Sequence, residues 1–160
     1  ATELAKSLGS TKMSMSRAAE ELESQDLVKF ETEWREKQIK FIGSRKELWE
    51  KGLEYLRSPV RKRVYVENNQ CNLGVISGLS ALSELSMLSS PKQQVRAVTS
   101  KEWKVLQSDA DLRIIPNASK DLAPIELEIW RYDPQKLSSS GMVDPLSLFL
   151  SLEGSITFVN

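Results

Sequence analysis

Residues 4–28 read LAKSLGSTKMSMSRAAEELESQDLV, and the fold of the front of the chain turns on how that stretch divides. Thr2 to Gly9 predicts a short helix, with Thr2 as its cap, Leu4, Ala5 and Leu8 on one face, and Gly9 as a left-handed exit. A second helix is predicted from Thr11 to about Ser24. Its apolar positions Met15, Ala18, Ala19 and Leu22 recur every three or four residues and make one buried stripe. Lys12, Met13, Ser14, Ser16, Arg17 and Glu20 are left outside. Downstream, Leu27–Glu31 is rich in strand formers, Thr32–Glu36 reads as a turn, and Lys37–Ile42 alternates, so a β-hairpin is expected. Its tip, Glu33-Trp34-Arg35-Glu36-Lys37, sets an aromatic between charges.

A short helix, a tight glycine-containing turn, a second helix and a hairpin follow one another in the order of a winged helix-turn-helix. In that arrangement the second helix enters the major groove of DNA. Small hydroxyl side chains let a helix approach base edges, and Lys12 and Arg17 can reach phosphates or guanine acceptors. The N–H groups at the helix start offer a further phosphate contact. The same pattern also fits two core-packing helices and a hairpin with no ligand.

The quoted stretch resembles the helix-turn-helix of MarR-type winged-helix transcriptional regulators and covers about a sixth of the chain. The likeness sets Thr11 at the cap of the recognition helix, Met15, Ala19 and Leu22 in the core, and Leu27-Val28 at the entry to the wing. It implies DNA contacts at Thr11, Lys12, Ser14, Ser16 and Arg17, with Arg35 and Lys37 on the wing. Two features depart from the family. Asp26 stands where glycine is usual, and the helix that normally precedes Thr2 is missing, as is an initiator methionine. A piece of a longer chain is therefore expected.

Ser44-Arg45-Lys46-Glu47 spells a capping box, and the helix it opens is expected to run through Leu48, Trp49, Leu53, Tyr55 and Leu56 to Arg57, ended by Ser58-Pro59. That places a domain boundary between residues 1–57 and 58–160. The helix either packs the two halves together or turns Trp49 and Tyr55 toward a second subunit. Arg61-Lys62-Arg63 reads as a solvated strand entrance, or as an extension of a phosphate-facing surface. Strands are predicted at Val64–Val66, Gln94–Thr99, Leu112–Ile115 and Ile125–Tyr132, and helices at Leu73–Leu88, Ser100–Leu106 and Met142–Leu152, the last opened by Asp144-Pro145. The fold class expected is α+β, a partial N-terminal winged helix-turn-helix followed by a small α/β module.

Composition narrows the chemistry. The chain of 160 residues has 22 basic and 22 acidic side chains, no histidine and one cysteine. Ser-His-Asp and Cys-His catalysis and imidazole-bound zinc are thereby excluded. Cys71 reads as a packing residue, and so few cysteines fit a reducing cytoplasm. ATELAKSLGS has no signal-peptide character, and Leu73–Leu88 is too short and too polar to span a bilayer. Residues 1–63 carry 14 basic against 11 acidic groups and residues 64–160 carry 8 against 11, the asymmetry expected if only the front meets phosphate.

Asp109, Asp111, Glu126 and Glu128 raise the idea of a magnesium-dependent nuclease. Glu126-Leu127-Glu128 lacks a lysine two residues on, however, and alternation puts both glutamates on a face read as solvent-exposed. No phosphate-binding glycine loop is present, and Ser77 and Ser80 lack a base. No enzyme activity, cofactor or metal is expected.

LRSPVRKRVYV, GLSALSELSML, IELEIWRYDP and VDPLSLFLSL are similar in order to AbiEi-type antitoxin regulators, whose partner is a nucleotidyltransferase toxin. This resemblance implies that the front binds its own promoter while the back neutralises or senses. The expectation is thus a cytoplasmic, homodimeric, autoregulatory repressor on a palindromic DNA operator. The alternative is an interaction module that grips a toxin or enzyme without touching DNA.

Overall fold

A computed structural model describes residues 2–33, 36–68, 73–138 and 141–156. The chain divides into two compact units, Ala1–Leu56 and Arg57–Asn160. Among the described residues no helix is long and apolar enough to cross a membrane. Cys71 lies outside the described residues.

In the first unit, helix α1 spans Thr2–Leu8 and α2 spans Lys12–Ser24. Thr2 is the first helical residue and not a cap flanking it. Gly9 takes φ +60°, and the bonds from Gly9 N–H to the Lys6 carbonyl and from Ser10 N–H to the Ala5 carbonyl close α1 in a Schellman motif. The same motif ends α2: Asp26 N–H donates to the Glu23 carbonyl and Leu27 N–H to that of Leu22. Asp26 sits at the left-handed position of this motif with φ 54°, which accounts for glycine being the residue expected there.

Strands β1 (Val28–Glu33) and β2 (Glu36–Phe41) pair antiparallel with Phe30 opposite Ile39. Both run further toward the tip than their sequence suggests, taking in Thr32, Glu33 and Glu36 from the expected turn; Trp34 and Arg35 lie outside the described residues. Ala5, Ala19, Leu27 and Val28 are buried, Met15 and Ala18 half-buried, and Leu22 is more open than its place in the stripe suggests. Helix α3 (Arg45–Gly52) opens with the capping box of Ser44 and Glu47 but stops at Gly52, five residues early. Leu53–Tyr55 continues as a single 3-10 turn and Leu56 is extended, so Tyr55 and Leu56 lie beyond the expected α-helix and stand exposed.

The second unit holds β3 (Val60–Asn68), β4 (Val75–Ile76), α4 (Gly78–Leu85), β5 (Gln94–Thr99), α5 (Ser100–Leu106), β6 (Leu112–Ile115), β7 (Ile125–Trp130) and α6 (Pro145–Ile156). Its sheet has the order β4-β5-β7-β3-β6. Only β5 and β7 are parallel; the other neighbours are antiparallel, so the mixed α+β character extends into this unit. Val64, Val66, Val98, Leu127 and Ile129 pack on one sheet face with Trp103 of α5. Ala97 and Trp130 pack on the other with Ala81 of α4 and Leu148 of α6.

The predicted helix Leu73–Leu88 is instead a two-residue strand, a turn and a shorter helix. Two glycines force this division. Gly74 has φ +62° and Gly78 φ +50°, and neither value belongs inside a helix. A Cβ on Gly74 would lie 2.1 Å from the Ala97 carbonyl oxygen, and one on Gly78 would lie 2.6 Å from Val95 Cγ1.

These conformations predict substitutions of opposite sign. Asp26→Gly should stabilise residues 1–56 by about 1 kcal/mol, by relieving a left-handed residue that carries a Cβ. Gly74→Ala should destabilise residues 57–160 by about 2 kcal/mol or more, because strain and a backbone clash coincide. Urea unfolding of each unit, followed by circular dichroism, measures both effects.

Candidate functional site

Helix α2 is set by its first turn. Thr11 is extended (φ −85°, ψ 151°), and its hydroxyl oxygen accepts from Ser14 N–H at 3.1 Å, with Ser14 Oγ 2.9 Å away. Both hydroxyls are therefore engaged in capping. From this start the helical repeat puts Met13 and Arg17 on the side opposite Met15 and Ala19, with Lys12 and Ser16 on one flank and Ser14 on the other. Lys12, Met13, Ser14 and Arg17 are exposed, Met13 to 66%, while Ser16 is half-buried.

Neither Lys12 nor Arg17 enters any ion pair among the described residues. The charges of α2 also run against its dipole. There is no acidic residue in the first turn and no basic one in the last; Lys12 stands at the positive end and Glu23 near the negative end. Each such placement costs a helix about 0.3–1 kcal/mol. Helix stability therefore gives no reason for Lys12 to be where it is. Lys12 on the flank beside the helix start and Arg17 on the outer side, about 140° apart around the helix, are two separate exposed cations.

The hairpin carries two cations that sequence reading passed over. Lys29 and Lys40 face each other in the β1–β2 register, and both reach the Glu31 carboxylate, Lys29 at 2.8 Å. The hydrogen bonds from Lys29 and Lys40 hold the Glu31 carboxyl at about 2. A Lys-x-Glu step opposite a third charge was the available signal. Of the expected wing contacts, Lys37 lies on β2 opposite Thr32, and Arg35 falls outside the described residues.

The acidic residues of the second unit take a different form from that expected. Glu128 is not solvent-exposed but buried, with 2% of its surface accessible, because α4 and α6 cover the sheet face that alternation leaves open. Its Oε2 accepts from Ser77 Oγ at 2.6 Å and from Trp130 Nε1 at 3.1 Å, while Oε1 accepts from Arg63 Nη2 at 3.1 Å.

Arg63 is correspondingly not a solvated strand-entrance charge. It also pairs with Glu126 through Nε at 3.0 Å and donates to the Ser151 carbonyl of α6. Burial pushes the Glu126 carboxyl above its usual range, outweighing the pull of Arg63, and Glu128 adds to the rise. Asp109 is spent on a local turn, accepting from Asp111 N–H. Among the described residues no group of three or more ligating side chains is placed to hold a metal ion. The Glu126–Glu128 pair acts as structural cement, held by a guanidinium where a cation-binding site would leave its oxygens open.

Comparison with protein-family models, with curated proteins and with solved structures gives no match.

Arg63→Met should cost residues 57–160 about 3–5 kcal/mol, since Glu128 would stay buried without its cation. Adding Glu128→Gln should restore more than half of that, and chemical denaturation of the two variants decides it. Equal losses would show that the charge on Glu128 is not what Arg63 answers. For Glu31 the folded pKa lies below the unfolded one, so its contribution to the hairpin is present above about pH 4.5 and is lost as pH falls toward 2. Carboxyl carbon shifts measured by NMR titration should give Glu31 a midpoint near 2.

Proposed function

We propose that residues 1–56 are a winged helix-turn-helix that binds duplex DNA through α2, and that the protein is a sequence-specific transcriptional regulator acting as a homodimer on a palindromic operator. The observation that carries this reading is the exposed pair Lys12 and Arg17, unpaired among the described residues and set against the helix dipole. The order of α1, the Gly9 turn, α2 and the β1–β2 hairpin supports it, as does the resemblance of residues 4–28 to MarR-type regulators. In this reading Arg17 and Lys12 meet phosphates or guanine edges, while Thr11 and Ser14 shape the helix start and keep it narrow. Met13 is placed to give an apolar contact such as a thymine methyl accepts. Lys29 and Lys40 flank the groove contact from the hairpin.

A second reading assigns residues 57–160 to a protein partner, of the nucleotidyltransferase toxin class by resemblance to AbiEi-type regulators. The exposed apolar side chains Leu79, Leu85, Met87 and Leu88, on α4 and just beyond it, favour it.

Anisotropy titration of the chain against duplex DNA from upstream of its own gene, beside an unrelated duplex, separates the two. The regulator binds its own upstream DNA more tightly, and salt weakens that binding. Lys12→Ala with Arg17→Ala should lower the salt slope, and each base-reading hydrogen-bond pair removed should cost about 1–3 kcal/mol. Equal, weak binding to both duplexes, with co-purification of a neighbouring gene product, would select the interaction module.

A further inference from the structure

The two neighbours of β3 do not match its length equally. β7 accompanies it from Val60 to Val66, but β6 accompanies it only from Tyr65 to Asn68. The chain leaves β6 at Pro116, which has no N–H to donate to a ladder, and turns into a 3-10 segment, Asn117–Leu122. A notch is left in this edge of the sheet alongside Arg61, Lys62 and Val64. At the strand rise the five positions Val60–Val64 span about 17 Å.

A cleft of about 620 Å³ occupies the notch. Its lining mixes apolar Val64, Ile115 and Pro116 with polar Lys62, Tyr65 and Lys120, and none of the residues that line it is acidic. Arg61, Lys62 and Lys120 are exposed, and none of the three enters an ion pair among the described residues.

The opposite edge of the sheet is treated differently. Ile76 N–H donates to the Gly141 carbonyl, and Val143 N–H donates back to Ile76, so a passing segment covers β4. Where β4 stops, Ser77 N–H and Ser80 Oγ take up the carbonyl and N–H of Val95. One edge is thus sealed by the chain itself, and the other offers a basic, half-apolar notch. Unpaired strand edges are templates for another chain.

We propose that this notch is a strand-addition site for an acidic, extended segment of a partner protein. The segment continues the line of β6 beside β3, its backbone bonding to the strand edge. Its side chains alternate between the two sheet faces, carboxylates on the face of Lys62 and apolar groups on the opposite face, which Tyr65 and Ile115 share, while Lys120 lines the cleft beside them. Nucleic acid fits less well. A phosphodiester chain meets the lysines but has no amide ladder to offer a strand edge. This site is separate from the α2 surface and stands whether or not that surface binds DNA.

The test uses the whole chain and a fluorescein-labelled peptide of four Val-Glu repeats, read by anisotropy. The probe should bind; Lys62→Glu with Lys120→Glu should weaken it about tenfold or more, as reversal of facing charges requires. N-methylation of alternate probe amides should weaken it about as much, because it removes the ladder donors. A Val-Lys peptide of the same length should not bind. Lys62 and Lys120 are both exposed, so the double variant keeps its fold, and its circular dichroism should match the parent's. The proposal is overturned if the Val-Glu probe does not bind, or if it binds the double variant equally well. It is likewise overturned if N-methylation has no effect, or if single-stranded oligothymidylate displaces the probe from the same lysines.

Discussion

A carboxylate buried to 2% accessibility is tolerable only if its oxygens are given donors, and the second unit is organised around doing this for Glu128. Its donors come from three separate places. Ser77 belongs to the junction of β4 and α4, Trp130 to the end of its own strand, and Arg63 to the neighbouring β3. Arg63 then reaches the Ser151 carbonyl and fixes α6 over the same face. The inward side of α6 is accordingly polar and small, with Ser147 and Ser151 buried beside Leu148. Tyr132 completes the seam by meeting Ser147 at 2.8 Å and packing edge-on against Trp130. The left-handed turn at Gly78 follows from the same demand, since it lets the chain start α4 directly after Ser77 while passing close over Val95.

The first unit is held by other means. Few of its side chains are fully buried, Ala5, Ala19, Leu27 and Val28 among them, so helix ends carry an unusual share of the specification. Two Schellman closures and the Thr11 cap fix where α1 and α2 stop and start, and the Leu27–Ile42 backbone bond ties the hairpin to the end of α2. That arrangement leaves the outer side of α2, with Met13 and Arg17, exposed and without structural duties.

Zero net charge conceals three different fates for the basic residues. Arg63 is drawn into the interior by two glutamates. Lys29 and Lys40 are neutralised locally at Glu31. Lys12, Arg17, Lys62 and Lys120 remain exposed and without ion pairs among the described residues, on two separate units. Arg61, Lys6, Lys92 and Lys101 are among the further basic residues that share this last state. A whole-chain count treats all of them alike, and so it is a poor guide to whether an anion is bound.

The sequence alone determined what depends on neighbours within a few residues. The caps of α2 and α3, the left-handed exit at Gly9, the paired strands of the hairpin and the Asp144-Pro145 start of α6 were all legible, because a cap or turn is an interaction over three or four positions. The exposed positions Lys12, Met13 and Arg17 were legible too, from the 3.6-residue repeat. Tertiary structure decided the rest. The repeat of Ile125–Trp130 shows two faces but not that both are covered, so Glu126 and Glu128 passed for solvated charges until α4 and α6 were placed over them. Leu73–Leu88 has helical spacing throughout, and only the close approach of Ala97 and Val95 makes Gly74 and Gly78 break it. The notch beside β3 arises from the unequal lengths of strands far apart in the chain, a relation that no local pattern of residues encodes.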